Sequence, residues 1–547
     1  MRYCGAALAA IVQAVMFAQT PAPSQAPTQP PPVFRVATRL VQVNVVVHDR
    51  HGQPVADLKQ EDFAIVERGK PQTISFFEVV AADKPAAPSA PLPPHVFTNV
   101  VARQAGVPTN VTVILVDLLN TSLVDQHYAR RALVNFLGQI QPQDRVSLYA
   151  LGHRSLTLLH DYTTDASSLV DRLRKTRGEV PSQLDASTVN TDSQEALRAL
   201  GLDELADANQ IEADFFTANR VTQTLSSLEA IAQHLAGVPG RKNLIWLSGG
   251  FPLTIGFDEM PAIGSTRDQR TFTVEMDAAM RALNNAGVAV YPVDARGLMG
   301  MPGFSADTRT APTPRSIAAG LRAVHTPIET MQEIAERTGG RAAYNTNDLA
   351  SAVRRAIDDA RVTYIVGYYP ADEAQDGKFR NIKVTVSRPN LDVRYRKGYF
   401  AMRPVDTSDK TRKAEMRAAV WSPLESTAVA INARADFIDA PAPNTVTVFV
   451  QIDPATVSFR KEGDRWKAEL DIVYVQKDDH GSLKGEGLTD RLSLALTDAT
   501  YADVVKRGII RQQRFPRQPG AVNLRIVVRD ADTGSTGSVT VPFDRIS

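Results

Sequence analysis

Between residues 111 and 369 the chain alternates apolar runs with amphipathic stretches, and this alternation constrains its fold more than any other feature. Val111–Val116 (VTVILV), Asn243–Leu247 (NLIWL) and Val288–Val293 (VAVYPV) have the apolar character of strands buried on both faces of a parallel sheet. Arg145–Leu151 reads as another strand, with a short one at Leu156–Leu159. Asp125–Leu137, Asp165–Arg174, Asn219–Leu235, Thr273–Asn285, Ile328–Thr338 and Leu349–Ala360 carry their apolar residues at helical spacing. Arg361–Tyr369 is expected to be the last long strand of the set. Strands alternating with helices predict an α/β domain with a mostly parallel sheet covered by helices on both faces. Three stretches interrupt the pattern and read as long connections: Thr176–Asp214, Phe251–Arg270 and Arg296–Pro314.

The flanks have a different texture. In Leu40–His48 (LVQVNVVVH) the valines at 41, 43, 45 and 47 share one face. With strands at Phe63–Val66 and Thr73–Val79 they make a small β-rich unit at 33–80, of a size that leans on a neighbour for stability. Prolines at 85, 88, 91, 93 and 94 mark 81–107 as a linker or extended strap. From Val420 onward the helical period vanishes, and about seven short strand-like runs predict an antiparallel β-sandwich over 415–547. Ahead of all this, Arg2 and the short apolar run Ala6–Phe17 read as a secretory signal over 1–18, with an uncleaved signal anchor as the alternative. A disordered spacer rich in Pro, Gln and Ser follows at 19–32. No later stretch is apolar for long enough to span a membrane as a helix. The only cysteine is Cys4, inside the signal, so the remainder can sit in an oxidising compartment without mispairing. Lys plus Arg is 61 against 60 for Asp plus Glu, a balance that gives no reason to expect nucleic acid as partner.

The strand ending at Asp117 in VILVDLLNTS, the later NLIWLSGG and the strand VAVYPVD resemble a von Willebrand factor A (VWA) domain over about 108–401. More narrowly, LVQVNVVVHDRHGQPVADLKQEDFAIVERGKPQTI and the GYF at Gly398 resemble the VWA-related secreted proteins found mainly in acidobacteria. The resemblance implies a Rossmann-like sheet. It also implies a divalent-cation adhesion site, in which an Asp ends the first strand, a DxSxS loop follows, and further loops add a Thr and an Asp. Hard oxygen ligands suit Mg²⁺, Mn²⁺ or Ca²⁺.

This sequence departs from that pattern. Leu119 and Thr121 stand at the two Ser positions, Asn120 and Ser122 carry oxygens out of register, and Ser248-Gly249-Gly250 stands where the third-loop Asp belongs. Asp117, Asn120, Thr121 and Ser122 remain candidate ligands of a weakly held cation. The alternative reading of Asp117 is a helix cap or an acceptor for the amides of its own loop. Ser248, Gly249 and Gly250 read as a tight turn that joins Asp117 in a partner-binding rim, because open α/β sheets bind ligands beyond the carboxyl ends of their strands.

No nucleophile, base and orienting residue can be assembled, and neither HExxH nor GxSxG is present. His48 and His51 read as flanking a solvated hairpin, and Asp358-Asp359 as a charged helix face. The expectation is a secreted or envelope-associated, non-catalytic module that binds a protein or cell-surface polymer. Two alternatives stay open: a scaffold whose VWA-like domain is inert, and a hydrolase with an unrecognised site.

Overall fold

A computed structural model describes residues 40–81, 92–100, 110–138, 140–141, 144–188, 191–255, 270–299, 314–371, 376–401, 408–438 and 444–546. The expected signal (1–18) and spacer (19–32) lie outside these residues, as does most of 81–107. In chain order, β1 (Val41–His48), β2 (Phe63–Glu67), β3 (Lys70–Gln72), β4 (Ile74–Ala81) and β5 (Val96–Thr98) come first. They are followed by β6 (Asn110–Asp117), α1 (Leu123–Leu137), β7 (Val146–Leu151), β8 (Leu156–Thr163), α2 (Ala166–Lys175), α3 (Ser182–Ala186), α4 (Thr191–Ala199) and α5 (Asp203–Leu235). Next are β9 (Arg241–Ser248), β10 (Thr254–Ile255), β11 (Arg270–Thr271), α6 (Thr273–Asn285), β12 (Val288–Asp294), α7 (Pro314–Thr338) and α8 (Leu349–Asp358). The chain closes with β13 (Val362–Tyr368), β14 (Phe379–Val386), β15 (Asp392–Arg394), β16 (Gly398–Phe400), α9 (Asp409–Trp421), β17 (Ile431–Ile438), β18 (Thr445–Ile452), β19 (Arg460–Glu462), β20 (Arg465–Lys477), β21 (Leu483–Leu496), α10 (Asp498–Arg507), β22 (Ile509–Pro516), β23 (Asn523–Asp530) and β24 (Thr536–Pro542).

The molecule is mixed α/β. Its central sheet has the order β12-β9-β6-β7-β8, parallel throughout except for β8 at the edge. Strand alternation feeds two cores. Val111, Val113, Leu115, Leu244 and Trp246 pack with α5, α6 and α7, whereas Ile114, Val116, Ile245 and Leu247 pack with α1 and α8. That double burial is why these strands are apolar at consecutive positions. In the parallel pairing Val116 lies beside Leu247, so the loops after β6 and β9 emerge side by side at the carboxyl end of the sheet.

The strand expected to close the α/β set does not join it. β13 pairs antiparallel with β1 and β4, Val43 opposite Val366 and Val79 opposite Tyr364. β14, β15 and β16 follow it, giving two four-stranded sheets, β15-β1-β13-β4 and β16-β14-β2-β3. Aromatic packing explains the choice. The Tyr364 ring packs at a tilt against Phe63 and Phe77, its hydroxyl donates to the carbonyl of Val55, and Tyr368 donates to Glu67 at 2.8 Å. At the vacated sheet edge Ala343 alone bridges Val293 in parallel. The small N-terminal unit thus completes its core with residues some 300 positions downstream in sequence.

Thr176–Asp214, expected to be a connection, carries α3, α4 and the start of α5. The first turns of α5 bury only small residues such as Ala206 and Ala213 while Leu205, Ile211 and Phe215 face solvent, so the helical stripe is faint in the sequence. The C-terminal region is a sandwich of the sheet β22-β18-β17-β5 on the sheet β19-β20-β23-β24, with β21 pairing β20. β5, within the proline-rich strap, adds to it: Thr98 pairs with Asn432, and the Asn99 amide spans the carbonyls of Ser426 and Val429. Two readings of single residues are corrected. His48 is buried rather than solvated, with Nε2 3.4 Å from Asp359. Asp359 is likewise buried, held by Arg394 at 2.7 Å and the Tyr291 hydroxyl at 2.8 Å, because β1 and β15 lie over its helix end.

Candidate functional site

At the carboxyl end of β6 the chain turns on Asp117, which is 1 % exposed. Its Oδ1 accepts from the backbone amides of Leu119 (3.1 Å) and Asn120 (2.9 Å). Its Oδ2 accepts from Asn120 Nδ2 (2.9 Å), Trp246 Nε1 (3.0 Å) and Ser248 Oγ (2.7 Å). An ionised carboxylate offers about four lone-pair directions, and five donors fill them. Burial pushes the Asp117 carboxyl above its usual range, and the donors from Asn120, Ser248 and Trp246 oppose that shift.

A second ring of contacts holds the first. Asn120 Nδ2 also donates to Thr224 Oγ1 at 2.8 Å, and Asn120 Oδ1 accepts from Arg220 Nη1 at 2.8 Å. Arg220 and Thr224 lie one turn apart on α5, and the other arm of the guanidinium reaches Ser187 Oγ at 2.9 Å. Burial lowers the Arg220 pKa to about 10, and the charge of Asp117 works against the shift. A fixed protein cation therefore sits one residue from the carboxylate. Thr121 Oγ1 accepts from the Gly249 amide at 3.1 Å, and Ser248 Oγ accepts from the Gly250 amide at 2.9 Å. The two loops approach so closely that a Cβ on Gly249 would lie 2.5 Å from the Asn120 carbonyl oxygen, and Gly250 adopts φ +80°. Ser122 faces away from Asp117. It caps α1 through the Asp125 amide (3.2 Å) and donates to the Asp125 carboxylate (2.6 Å).

The structure thus gathers Asp117, Asn120, Thr121, Ser248, Gly249 and Gly250 into one network and leaves Ser122 to the helix cap. These residues do not fit a divalent cation. The single carboxylate already accepts from five donors, and α5 brings the Arg220 guanidinium, a cation, onto Asn120 beside the neutral Thr224 hydroxyl. Among the described residues no cluster of three or more His, Cys, Asp or Glu is placed to hold a metal ion. Sequence reasoning did not find Arg220, Thr224 or the role of Trp246. Arg220 and Thr224 lie about 100 residues from Asn120 on a helix, and their one available signal was two polar residues on the buried stripe of α5.

Three apolar side chains are exposed on segments near this polar hub. Val124 in the first turn of α1 is 78 % exposed, Val180 65 % and Leu298 63 %. Residues beside each of them meet α1. Gly178 lies against Leu123, the Glu179 backbone exchanges hydrogen bonds with the Gln126 side chain, and Gly297 packs beside Tyr128 one turn after Val124. The Leu298 amide and the Tyr128 hydroxyl are both held by Asn347.

No family profile matches the sequence, and no curated protein does. Among solved structures, the chain is similar to the von Willebrand factor domain of the type V pili tip protein Mfa5 from Porphyromonas gingivalis. The match is at 11 % identity and TM-score 0.24, over 46 % of this chain and 94 % of that one. The pilus adhesin SpaC from Lactobacillus rhamnosus GG matches at 11 % identity and TM-score 0.26, over 88 % and 57 %. Proximal thread matrix protein 1 from the mussel byssus matches at 8 % identity and TM-score 0.22, over 48 % of this chain and 49 % of that one, about half its length. At these scores the chain is similar to those proteins without being placed in a family by them.

Proposed function

We propose that this chain is a secreted or envelope-associated interaction module that grips a protein partner without a metal ion. On this reading its α/β sheet is VWA-like, and an internal polar network has replaced the cation site. The carrying observation is a carboxylate saturated by Asn120, Trp246 and Ser248, together with exposed Val124, Val180 and Leu298 on segments that meet at α1. Clustered exposed apolar residues on a rigid frame favour association, and a buried network fixes the two loops that present them. The extracellular setting rests on the sequence of residues 1–18, and the reading as non-catalytic rests on the motifs.

The test uses the full chain as bait against the native envelope, with and without EDTA, beside a Val124→Asp/Leu298→Asp double variant. The expected result is a partner retained in EDTA and lost with the double variant. Release by EDTA, or equal retention by the double variant, contradicts the proposal.

A further inference from the structure

The opposite end of the central sheet holds a second feature, unrelated to the rim. Where β9 and β12 begin, and β1 and the stretch 396–401 cross them, there is an open cavity of about 500 Å³, a size that accepts small organic ligands. Its lining includes Arg241, Lys242, Arg380 and Arg396, with no Asp or Glu among the lining residues. Three of these cations are engaged. Arg241 is held by the Tyr291 hydroxyl and the Gly339 carbonyl, Arg380 by Glu67, and Arg396 by the carbonyl of Gln42 at 2.8 Å. Lys242 differs. It is 5 % exposed, and among the described residues its ammonium has neither hydrogen bond nor ion pair. It sits at the cavity wall, since a Cβ built on Gly287 would lie 3.7 Å from Lys242 Nζ and 3.6 Å from Asn44 Nδ2. Among the described residues, Arg396 Nε and Asn284 Nδ2, on two further lining residues, are buried donors without an acceptor. An ammonium largely shielded from water and lacking a counter-charge is disfavoured, and proteins rarely leave several donors short of acceptors at one place. Leu40, Val288, Ile365 and Phe400 give the wall an apolar stretch beside neutral polar groups such as Gln42, Asn44 and Thr338.

We propose that this cavity binds a small organic anion, its oxyanion head paired with Lys242 and its apolar body against Val288, Ile365 and Phe400. The site needs the N-terminal β1 as well as β9, so it exists only when the two parts of the chain are assembled. Burial holds the Lys242 amine at about 7 in the free protein. An oxyanion beside it raises that value, so binding takes up a proton and weakens by up to about tenfold per unit as pH climbs above 7.

The experiment is calorimetric titration of the full chain with octanoate, inorganic phosphate and the neutral control octanol, at pH 6.5 and 8.5. The expected result is one octanoate site, weaker phosphate binding, no octanol binding, and weaker octanoate at the higher pH. Lys242→Met removes a buried charge and is expected to fold. It should weaken octanoate at least about tenfold, the scale of a lost charge-assisted contact. Failure of octanoate to bind, octanol binding as well as octanoate, or unchanged affinity in Lys242→Met overturns the proposal. The pH comparison on the unmodified chain decides the matter by itself should the variant not fold, because pH-independent octanoate affinity also overturns it.

Discussion

Asp117, at the end of β6, commits its carboxylate to the loops around it. Its strand-end placement was legible in VILVD, and so was the alternative that it bonds its own loop amides, which the Leu119 and Asn120 contacts display. What the sequence could not show is that Trp246 and Ser248, two strand positions apart on β9, both point their donors at the same oxygen. Asp117→Ala leaves a buried indole N–H, a hydroxyl and two amides without their acceptor, so the expected loss is about 3–5 kcal/mol, the range for breaking a buried charged network. Chemical denaturation of wild type and variant reads it directly. Gly249→Ala presses a methyl group onto the Asn120 carbonyl and should cost about 1–3 kcal/mol, seen as a lower denaturation midpoint at unchanged slope. Ser122 was expected near the site, yet its register on the first turn of α1 turns it toward Asp125, a local preference that outweighs any pull from Asp117.

At the scale of elements, the central strands and the helices α1, α6 and α8 were readable because one period and one run of apolar residues mark each of them. The fate of β13 was not. A strand such as Val362–Tyr368, buried on nearly every position, carries the same apolar signature whether its partners are parallel or antiparallel. The choice lies in partners near residue 45 and residue 79, a long-range fact with no local trace. α9 and α10 escaped notice for a different reason: each lies between strands and buries little, and α10 has no fully buried residue. The β13 pairing makes a direct prediction. A fragment of residues 108–401 lacks β1 and β4 and exposes the Tyr364 and Tyr368 face, so it should be less soluble and melt lower than a fragment of residues 40–401. Equal melting temperatures for the two fragments would contradict the strand exchange.

For the molecule as a whole, pH exposes the buried cation. The Lys242 amine lies at about 7 in the folded chain against the ordinary 10.5. Between these values the unfolded chain binds the extra proton, so this group's contribution to stability grows as pH rises from about 7 toward 10 and is lost as pH falls through 7. The ligand-free wild type should gain stability over that window relative to Lys242→Met, whose curve lacks this component. Parallel melting curves for the two across pH 6–10 would show that the amine keeps its ordinary pKa. No helix among the described residues is long and apolar enough to cross a membrane. The central claim of the proposed reading is that protein donors saturate Asp117 and leave it no capacity for a cation. Thermal melts of wild type and Asp117→Ala, each with EDTA and with millimolar Mg²⁺, Mn²⁺ or Ca²⁺, test it most directly. The account predicts a lower melting temperature for the variant and no ion-dependent shift in either protein, whereas an upward shift with any of the three ions in wild type that vanishes in Asp117→Ala would contradict it.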